Sequence, residues 1–310
     1  MCRKTIPQNA EIVPVFFAVD ENYTPCLSVA IRSMIDHADK NAYFKIYVLV
    51  DKLCREERTN IGSLRCERAD IEFVCVERKL NAIGSHLHLR DYYSQATYYR
   101  FFIPDLFPQY DKGLYLDCDI LLNDDVCKIY RTNLGKKLLG AVPCDVFGRV
   151  DLFGRYAEKV LGLRRERVFN AGVILMNLAE MRRVKLEEQF VDLLARRTYK
   201  VTQDQDYLNV LCRNRVVYFP AEWNSTPFPE KKGTTPPALV HFKINCKPWH
   251  YRGIPHEEIF WKVARKTPYY KRLLALRNGY TAADVERDNT QYAHLESLAE
   301  EELELARARA

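Results

Sequence analysis

The amino-acid sequence predicts an α/β fold built on a doubly wound sheet that is mixed, mainly parallel and flanked by helices. Apolar runs at residues 12–18, 44–50 and 71–76 have the length of buried strands, and two stretches with helical periodicity separate them. Strands that alternate with helices are typical of parallel sheets. In such sheets ligands bind beyond the carboxyl ends of the strands, so polar residues at those ends are candidate site residues.

The remaining elements continue this alternation. A helix is predicted over residues 94–102, where Pro104 breaks the pattern, and a long helix is predicted over residues 178–197. A further helix starts near Gln203. Short strands are predicted at residues 138–142, 173–177, 216–219 and 238–242, and a loop at residues 230–237. Only helical patterns follow, so we expect a main domain at residues 1–254 and a helical C-terminal appendage at residues 255–310.

Composition excludes several classes of protein. The net charge of +6 is small for a chain with 28% charged residues, and it does not have the pattern of a nucleic-acid-binding protein. The sequence has neither an apolar run of roughly 18 residues nor a signal-peptide core, so we expect a cytoplasmic protein. Ten cysteines are scattered without a Cys-x-x-Cys pair, which favours reduced thiols over disulfides. A zinc site assembled from distant cysteines is the less favoured alternative.

The most informative local pattern is Asp117-Cys118-Asp119, which follows an apolar strand. Side chains alternate along extended chain, so the two carboxylates lie on one face while Cys118 points to the other. Paired carboxylates indicate a hard-metal site. An isolated Asp-x-Asp is, however, also typical of a turn after a strand.

A second polar group follows the strand predicted at residues 238–242. His241 taken alone is more often a hydrogen-bonded core residue than a ligand, and Lys247 alone is a typical surface cation. Together with two carboxylates, an imidazole forms a ligand set suited to manganese, with magnesium as the alternative. A lysine beside such a metal would neutralise a diphosphate.

Six motifs in order resemble those of the family 8 glycosyltransferases, in particular the bacterial lipooligosaccharide galactosyltransferase and glucosyltransferase type and, more distantly, glycogenin. They lie between about residues 12 and 249 and comprise Phe17 to Tyr23, Thr97 to Arg100, Leu116 to Asp119, Phe169 to Val173, Gln203 to Asp206 and His241 to Trp249. The resemblance implies a GT-A-type fold, a UDP-hexose donor and transfer with retention at the anomeric carbon. It also makes residues 1–254 a nucleotide-sugar-binding catalytic domain.

The resemblance implies roles for individual residues. The expected ligands of the manganese ion, which would bridge the diphosphate, are Asp117, Asp119 and His241. The donor nucleotide is expected to contact Ala18, Asp20, Asn22, Tyr23, Cys118 and Lys247. The donor sugar is expected to be surrounded by Arg100, Asn170, Ala171, Gly172, Asp204 and Gln205. Asp145 is expected on the acceptor side, and Gln205 and Asp204 are the candidate catalytic residues.

The residues expected around the donor sugar also have structural alternatives. Arg100 would then be a helix-surface ion pair, residues 170–172 an ordinary turn, and Asp204 with Gln205 a helix N-terminal cap. Gln205 is a neutral amide and a poor nucleophile, so we expect front-face attack by the acceptor hydroxyl, with a covalent adduct on Asp204 as the alternative.

One departure from the family pattern affects the phosphate-binding loop. Where the family has glycine between the histidine and the Lys-Pro-Trp motif, this chain has Ile244, whose branched side chain disfavours positive φ and close backbone approach. A non-catalytic UDP-sugar-binding relative is therefore the second hypothesis. Residues 18–25 contain no glycine, which argues against a sugar-nucleotide pyrophosphorylase and a dinucleotide-dependent oxidoreductase.

The resemblance implies a glycan or cell-envelope acceptor, and the sequence leaves open whether it is lipid-linked, protein-linked, part of the lipopolysaccharide core or another sugar. Residues 261–280 combine basic and aromatic side chains, which predicts peripheral contact with the inner membrane face where lipid-linked acceptors lie. The alternative is an ordinary amphipathic appendage. The tail from residue 282 is acidic.

Overall fold

In the computed structural model, which describes residues 9–84, 87 and 94–308, strands and helices alternate along most of the chain. The strands are β1 Glu11–Ala18, β2 Ala42–Val50, β3 Ala69–Cys75, β4 Lys112–Leu116, β5 Ile120–Leu122, β6 Leu139–Pro143, β7 Phe169–Asn177, β8 Val216–Tyr218 and β9 Leu239–His241. The helices are α1 Thr24–Asp36, α2 Arg55–Gly62, α3 Glu77–Ile83, α4 Ile103–Leu106, α5 Cys127–Tyr130, α6 Asp145–Arg149, α7 Asp151–Tyr156, α8 Leu178–Arg183, α9 Leu186–Arg196, α10 Asp204–Leu211, α11 Glu257–Ala264, α12 Tyr270–Gly279 and α13 Ala282–Ala308.

Each of two compact units is assembled from three stretches of chain. The first contains Met1–Arg78, Lys112–Asn133 and Glu222–Tyr280, and the second contains Lys79–Asp111, Leu134–Ala221 and Thr281–Ala310. The residues after 254 are helical and belong partly to each unit. A functional boundary at residue 254 stays a prediction.

In the first unit, four parallel strands run in the order β3-β2-β1-β4. The side chains of β1 from Val13 to Phe17 are all buried, including that of Pro14. Such continuous burial is expected of a strand covered on both faces. Helix α1 follows β1 after a short loop and has Pro25 in its first turn, where the missing N–H carries no penalty. The predicted strand, loop and helix are therefore present.

The first unit also contains an antiparallel ribbon, in which β5 pairs with β9 and Ile120 lies opposite His241. Helices α11 and α12 follow in this unit. The ring of Phe260 in α11 lies 5.5 Å from the ring of Phe242 and 5.4 Å from that of Trp249, centre to centre. This aromatic cluster packs α11 behind the residues that follow β9.

In the second unit, β6 is the middle strand of three. It pairs antiparallel with β7 and parallel with β8. The seven strands β1 to β4 and β6 to β8 are mainly parallel and helices flank them, which confirms the predicted mixed α/β class.

Two predicted helices differ from the observed ones. The single helix expected over residues 178–197 is wrong: Lys185, with φ 56° and ψ 52°, separates α8 from α9, because left-handed backbone cannot continue a right-handed helix. The helix expected to end before Pro104 is a 3₁₀ helix, Gln95–Phe102, capped by Ser94, and α4 follows it directly. Pro104 is tolerated because it lies in the first turn of α4.

Residues 170–172 lie within β7, so the alternative of an ordinary turn is wrong. The thiols agree with the prediction: the nine cysteines in the described part of the chain, from Cys26 to Cys246, are free. Over the same part of the chain, no helix combines the length and apolar character needed to cross a membrane.

Candidate active site

Three predicted metal ligands converge in the first unit. Asp117 and Asp119 lie in the short link between β4 and β5, and His241 is the last residue of β9. One ligand atom from each lies within 4.8 Å of the other two. His241 Nε2 is 3.0 Å from Asp119 Oδ1 and 3.8 Å from Asp117 Oδ2. Two carboxylates and one imidazole form a ligand set suited to a divalent cation such as manganese or magnesium.

Backbone pairing and further side chains hold these ligands in place. The N–H of Phe242 donates to Asp119 O at 2.8 Å, which fixes the link against the ribbon. His241 Nδ1 donates to Asn224 Oδ1 at 2.8 Å, so Nε2 faces the two carboxylates. Tyr115 Oη donates to Asp117 Oδ1 at 3.0 Å. Sequence reasoning missed Asn224 and Tyr115, because no local pattern marks a hydrogen-bond partner from a distant segment.

The charge of Asp119 is stabilised despite its burial. Burial opposes ionisation, but the charge and hydrogen bond of His241 and the charge of Lys247 together outweigh it and lower the pKa of Asp119. Asp119 is thus held as the carboxylate, which is the form that binds a metal cation.

Lys247 and Tyr23 form a second contact in this unit. Lys247 is 5% exposed, and its Nζ donates to Tyr23 Oη at 2.7 Å. The ammonium also lies 5.3 Å from the centre of the Tyr23 ring, within the range of a cation–π interaction. Burial raises the pKa of Tyr23, so its hydroxyl stays protonated. Tyr23 therefore holds the ammonium of Lys247 in one position.

Ile244 adopts the conformation that its branched side chain disfavours. Its φ is 53°, and the N–H of Cys246 donates to Lys243 O at 3.0 Å across the turn. Turns whose second residue has positive φ normally have glycine at that position. Ile244, between β9 and the buried Lys247, therefore has positive φ although its branched side chain disfavours it.

The loop after β1 contains the predicted nucleotide contacts. Asp20 Oδ1 accepts from the N–H groups of Asn22 at 2.9 Å and Tyr23 at 3.2 Å, which fixes the approach to α1. Cys118 is buried and its Sγ donates to Ala18 O at 3.2 Å. The first unit therefore brings Ala18 and Cys118 together at the end of β1.

The second unit brings all six predicted sugar-binding residues together. Arg100 is 4% exposed and Asp204 is 3% exposed, and Arg100 Nε lies 3.1 Å from Asp204 Oδ2. Arg100 also donates to Ala171 O, and Thr97 donates to Asp204. Arg100 is thus a buried ion pair and not a helix-surface one. Asp204 is the first residue of α10 and does not act as its cap, a position that Gln203 occupies.

Gln205 is fixed by the strand that faces it. Its Oε1 accepts from Asn170 Nδ2 at 3.0 Å and from the N–H of Ala171 at 3.1 Å. Asn170 Oδ1 in turn accepts from the N–H of Gly172 at 3.0 Å. The amide oxygen of Gln205 thus has both of its acceptor positions in use.

Sequence reasoning missed the residues that support this cluster. Asp206 is fully buried, and its carboxylate accepts from Thr202 N–H at 2.8 Å, Thr202 Oγ1 at 2.5 Å and Tyr156 Oη at 2.9 Å. Burial raises the pKa of Asp206 to about 6. Asn209 accepts from Phe169 N–H and donates to Phe169 O, both at 2.9 Å, so α10 is locked to β7. The sequence signal that could have identified Asp206 is its position as the second aspartate of the Gln-Asp-Gln-Asp motif.

Asp145 is placed differently from the buried cluster. It is the first residue of α6, its side chain is 37% exposed, and its Oδ2 lies 4.0 Å from Arg149 Nη1. The predicted acceptor role of Asp145 stays a prediction.

Comparison with known proteins gives a consistent family assignment. Residues 14–253 match the sequence profile described as "Glycosyl transferase family 8". The chain is 25% identical over 263 residues to glycosyltransferase GlyA of Streptococcus pneumoniae serotype 4, a match that covers 82% of this chain and 35% of GlyA. It is 25% identical over 295 residues to the lipopolysaccharide 1,2-glucosyltransferase of Escherichia coli K12, covering 90% of this chain and 82% of that enzyme.

The fold is similar to that of the galactosyltransferase LgtC, solved in complex with donor and acceptor sugar analogues. The TM-score is 0.66 at 28% identity, and the match covers 83% of this chain and 96% of LgtC. This similarity confirms the predicted GT-A-type fold. Two further curated relatives, each 28% identical, are spanned by this chain over only 34% and 64% of their lengths.

Proposed function

The chain belongs to glycosyl transferase family 8, and we propose that it is a metal-dependent retaining enzyme that moves galactose or glucose from a UDP-sugar to an acceptor hydroxyl. The observation that carries this proposal is the convergence of Asp117, Asp119 and His241. A UDP-sugar has a diphosphate leaving group, and a cation held by these three side chains would lie where that charge develops.

A divalent cation in this site would neutralise the diphosphate and act as a Lewis acid toward the leaving phosphate oxygen. Manganese fits the imidazole in the ligand set, with magnesium as the alternative. The Nδ1 hydrogen bond from His241 to Asn224 supports this assignment, because it orients the ring with Nε2 toward Asp117 and Asp119.

The cations of the chain supply further charge stabilisation. We propose that Lys247 contacts the diphosphate. Its ammonium is buried, and the low dielectric around it strengthens its attraction to negative charge. Tyr23, whose hydroxyl accepts from Lys247, would then adjoin both the base and the phosphates. The other nucleotide contacts that we propose are Ala18, Asp20, Asn22 and Cys118.

We propose that the buried cluster of the second unit binds the donor sugar. Arg100, Asn170, Ala171, Gly172, Asp204 and Gln205 supply its polar groups. The ion pair with Arg100 lowers the nucleophilicity of Asp204, and two hydrogen bonds already engage the Gln205 oxygen. These contacts support front-face attack, in which the acceptor oxygen bonds to the anomeric carbon as the phosphate departs. The departing phosphate oxygen takes the acceptor proton, and Gln205 orients the sugar.

The acceptor that we propose is a cell-envelope glycan of the lipopolysaccharide type, approached from the side of Asp145. The similarity to the lipopolysaccharide 1,2-glucosyltransferase of Escherichia coli K12 supports this choice. The second hypothesis is a relative that binds UDP-sugar without turnover, and the strained Ile244 is the observation that favours it.

A donor panel tests the function. The protein is incubated with manganese, mixed cell-envelope acceptors and UDP-galactose or UDP-glucose, and release of UDP is measured. We expect release with one of the two donors and none after addition of EDTA. Metal-dependent binding of a UDP-hexose without release would support the second hypothesis, and no binding of any donor would contradict both.

A matched pair of variants tests the metal site. Asp119→Asn removes a ligand charge, whereas Asp124→Asn makes the same change at a partly exposed residue paired with Lys128. We expect Asp119→Asn to weaken manganese-dependent UDP binding by about 100-fold or more, since one charged ligand is lost, and Asp124→Asn to leave it unchanged. Equal affinity in both variants would remove the site.

We also propose that a basic surface of the first unit contacts anionic lipid. Within residues 261–280 the rings of Trp261 and Tyr269 are buried, so the exposed cations Lys262, Arg265 and Lys271 would make this contact. Charge reversal of these three is compared with reversal of the exposed Lys40, Lys52 and Arg55 in co-sedimentation with anionic vesicles. Loss of pelleting only in the first variant is expected, and no pelleting of the unmodified protein would remove the idea.

A further inference from the structure

The acidic C-terminal helix α13 presents one of its carboxylates to the interior of the second unit. Its buried residues are Ala299, Glu302 and Leu303, and the helix packs against α7 and the π-helical segment Ala157–Leu161. A buried carboxylate is costly unless it is paired. Glu302 is 4% exposed and its Oε2 lies 3.6 Å from Arg197 Nη2.

Arg197 begins the segment that leads into α10. Its carbonyl oxygen accepts from Tyr207 Oη at 2.7 Å, and Tyr207 Oη accepts from the N–H of Tyr199 at 3.3 Å. The guanidinium of Arg197 lies 5.3 Å from the centre of the Tyr199 ring. A second ion pair joins Lys200 Nζ to Glu301 Oε1 at 2.9 Å. The helix therefore holds residues 197–200 at two points.

A second route joins α13 to the same end of α10. Helix α7, on which α13 packs, ends with Tyr156, whose hydroxyl donates to Asp206 at 2.9 Å. Asp206 in turn fixes Thr202, whose carbonyl oxygen accepts from Gln205 N–H at 3.1 Å.

The first route ends at residues 197–200 and at Tyr207 of α10, and the second ends at residues 202–205, where Gln203 has φ 51°. We propose that α13 is a positioning element for the Asp204 and Gln205 cluster, with Glu302 as its positioning residue. This inference rests on the proposed function, because it assigns the helix to the site that binds the donor sugar. Glu302 is not one of the proposed sugar-binding residues, and it acts through Arg197, while α13 as a whole packs against α7, which carries Tyr156.

Glu302→Gln in the full chain tests the proposal, with Glu304→Gln as the control. The two changes remove the same charge from the same helix, but Glu304 is exposed. Hydrogen exchange of the backbone amides of residues 202–205 is followed by mass spectrometry. We expect faster exchange in Glu302→Gln, by about fivefold or more, and no change in Glu304→Gln.

Kinetics supply the second readout. Small displacements of orienting groups lower turnover strongly, so we expect Glu302→Gln to lower kcat by about tenfold with the KM for the UDP-hexose donor within about twofold. Arg197→Gln probes the same link from the other partner, and the double variant should be no worse than the more impaired single one.

Unchanged exchange at residues 202–205 in both Glu302→Gln and Arg197→Gln would overturn the proposal, as would an equal effect of Glu304→Gln. A lower Tm with unchanged exchange and kcat at 25 °C would also overturn it, because α13 would then only stabilise the fold. If the unmodified protein turns over no donor, the proposed function fails, and the exchange experiment still decides whether α13 positions the segment.

Discussion

Ile244 is the residue whose conformation conflicts most with its side chain. Its φ of 53° is unfavourable for any β-branched residue and costs of order 1–3 kcal/mol. We expect Ile244→Gly to raise the free energy of unfolding by about 1 kcal/mol, since relief of strain exceeds the added entropy of the unfolded chain. Urea unfolding measures this.

The neighbouring residue supplies the control for Ile244. Lys243 does not have positive φ, so Lys243→Gly adds flexibility without relieving strain. It should lower the free energy of unfolding by roughly 0.5–1 kcal/mol. Equal destabilisation by both glycines would show that residue 244 is unstrained. If close backbone approach to the diphosphate is restricted by isoleucine, Ile244→Gly should also tighten UDP binding.

Asp206 gives the second unit a pH-dependent stability. Burial raises its pKa from 3.8 to about 6 in the folded protein. The folded state therefore favours the protonated carboxyl: this contribution is fully present below pH 4 and is lost as the pH rises to 6. A shift of this size corresponds to about 3 kcal/mol.

Asp206→Asn should remove this pH dependence. We expect the difference in unfolding free energy between the unmodified protein and Asp206→Asn to change between pH 4 and pH 6.5 and to be constant above it. Chemical unfolding at a series of pH values measures this difference. A constant difference across the whole range would mean that Asp206 titrates normally.

The residues that sequence reasoning found and missed differ in how they are encoded. Asp117 and Asp119 are predictable because strand alternation places side chains two residues apart on one face. His241 needed the motif order as well. Asn224 and Tyr156 contact their partners across 17 and 50 residues of chain, and only tertiary packing brings them there.

At the scale of elements, strands were easier to predict than helix boundaries. The apolar run of β1 ends within the predicted bounds because burial on both faces demands continuous hydrophobicity. The break between α8 and α9 left no such signal, since Lys185 is an ordinary helix former that adopts left-handed backbone here. Periodicity reports which face is buried, and it does not report where the chain reverses.

Helix α12 is tied to α1 and α2 by the carboxylate of Glu57, which accepts from Thr24 Oγ1 at 2.6 Å, from Arg272 Nη1 at 2.6 Å and from Tyr269 Oη. Burial opposes ionisation of Glu57, but these hydrogen bonds outweigh it and lower its pKa. The stability that this group contributes is present above its unfolded pKa of 4.5 and is lost as the pH falls through the lower folded value.

Tyr269→Phe should weaken this junction. Loss of a hydroxyl that donates to a buried carboxylate is expected to cost about 1–3 kcal/mol at pH 7, with a smaller cost at acid pH, where the carboxylate is protonated. Tyr270→Phe is the matched control, because among the described residues its hydroxyl accepts a single long hydrogen bond, of 3.4 Å, from the exposed Arg265. Thermal unfolding at two pH values compares the variants, and equal losses would contradict the assignment.

At the scale of the whole molecule, the proposed binding roles are divided between the two units. The first contains the candidate metal ligands and nucleotide contacts, and the second contains the candidate sugar-binding cluster. Residues assigned to the second unit come from three stretches of chain, including the C-terminal helix, so local sequence patterns could not have predicted this division. Composition and periodicity are local, whereas the units are defined by contacts between distant segments.

Metal binding should therefore stabilise the whole molecule through the first unit. A ligand that binds only the folded state adds about 2.7 kcal/mol at a concentration 100 times its Kd. For a protein of 310 residues this is expected to raise Tm by a few degrees. We expect manganese to raise the Tm of the unmodified protein and of Asp124→Asn, with a further rise on adding UDP, and to leave the Tm of Asp119→Asn unchanged. Differential scanning calorimetry at pH 7 measures these shifts, and a manganese-dependent rise of the same size in Asp119→Asn would place the bound metal elsewhere.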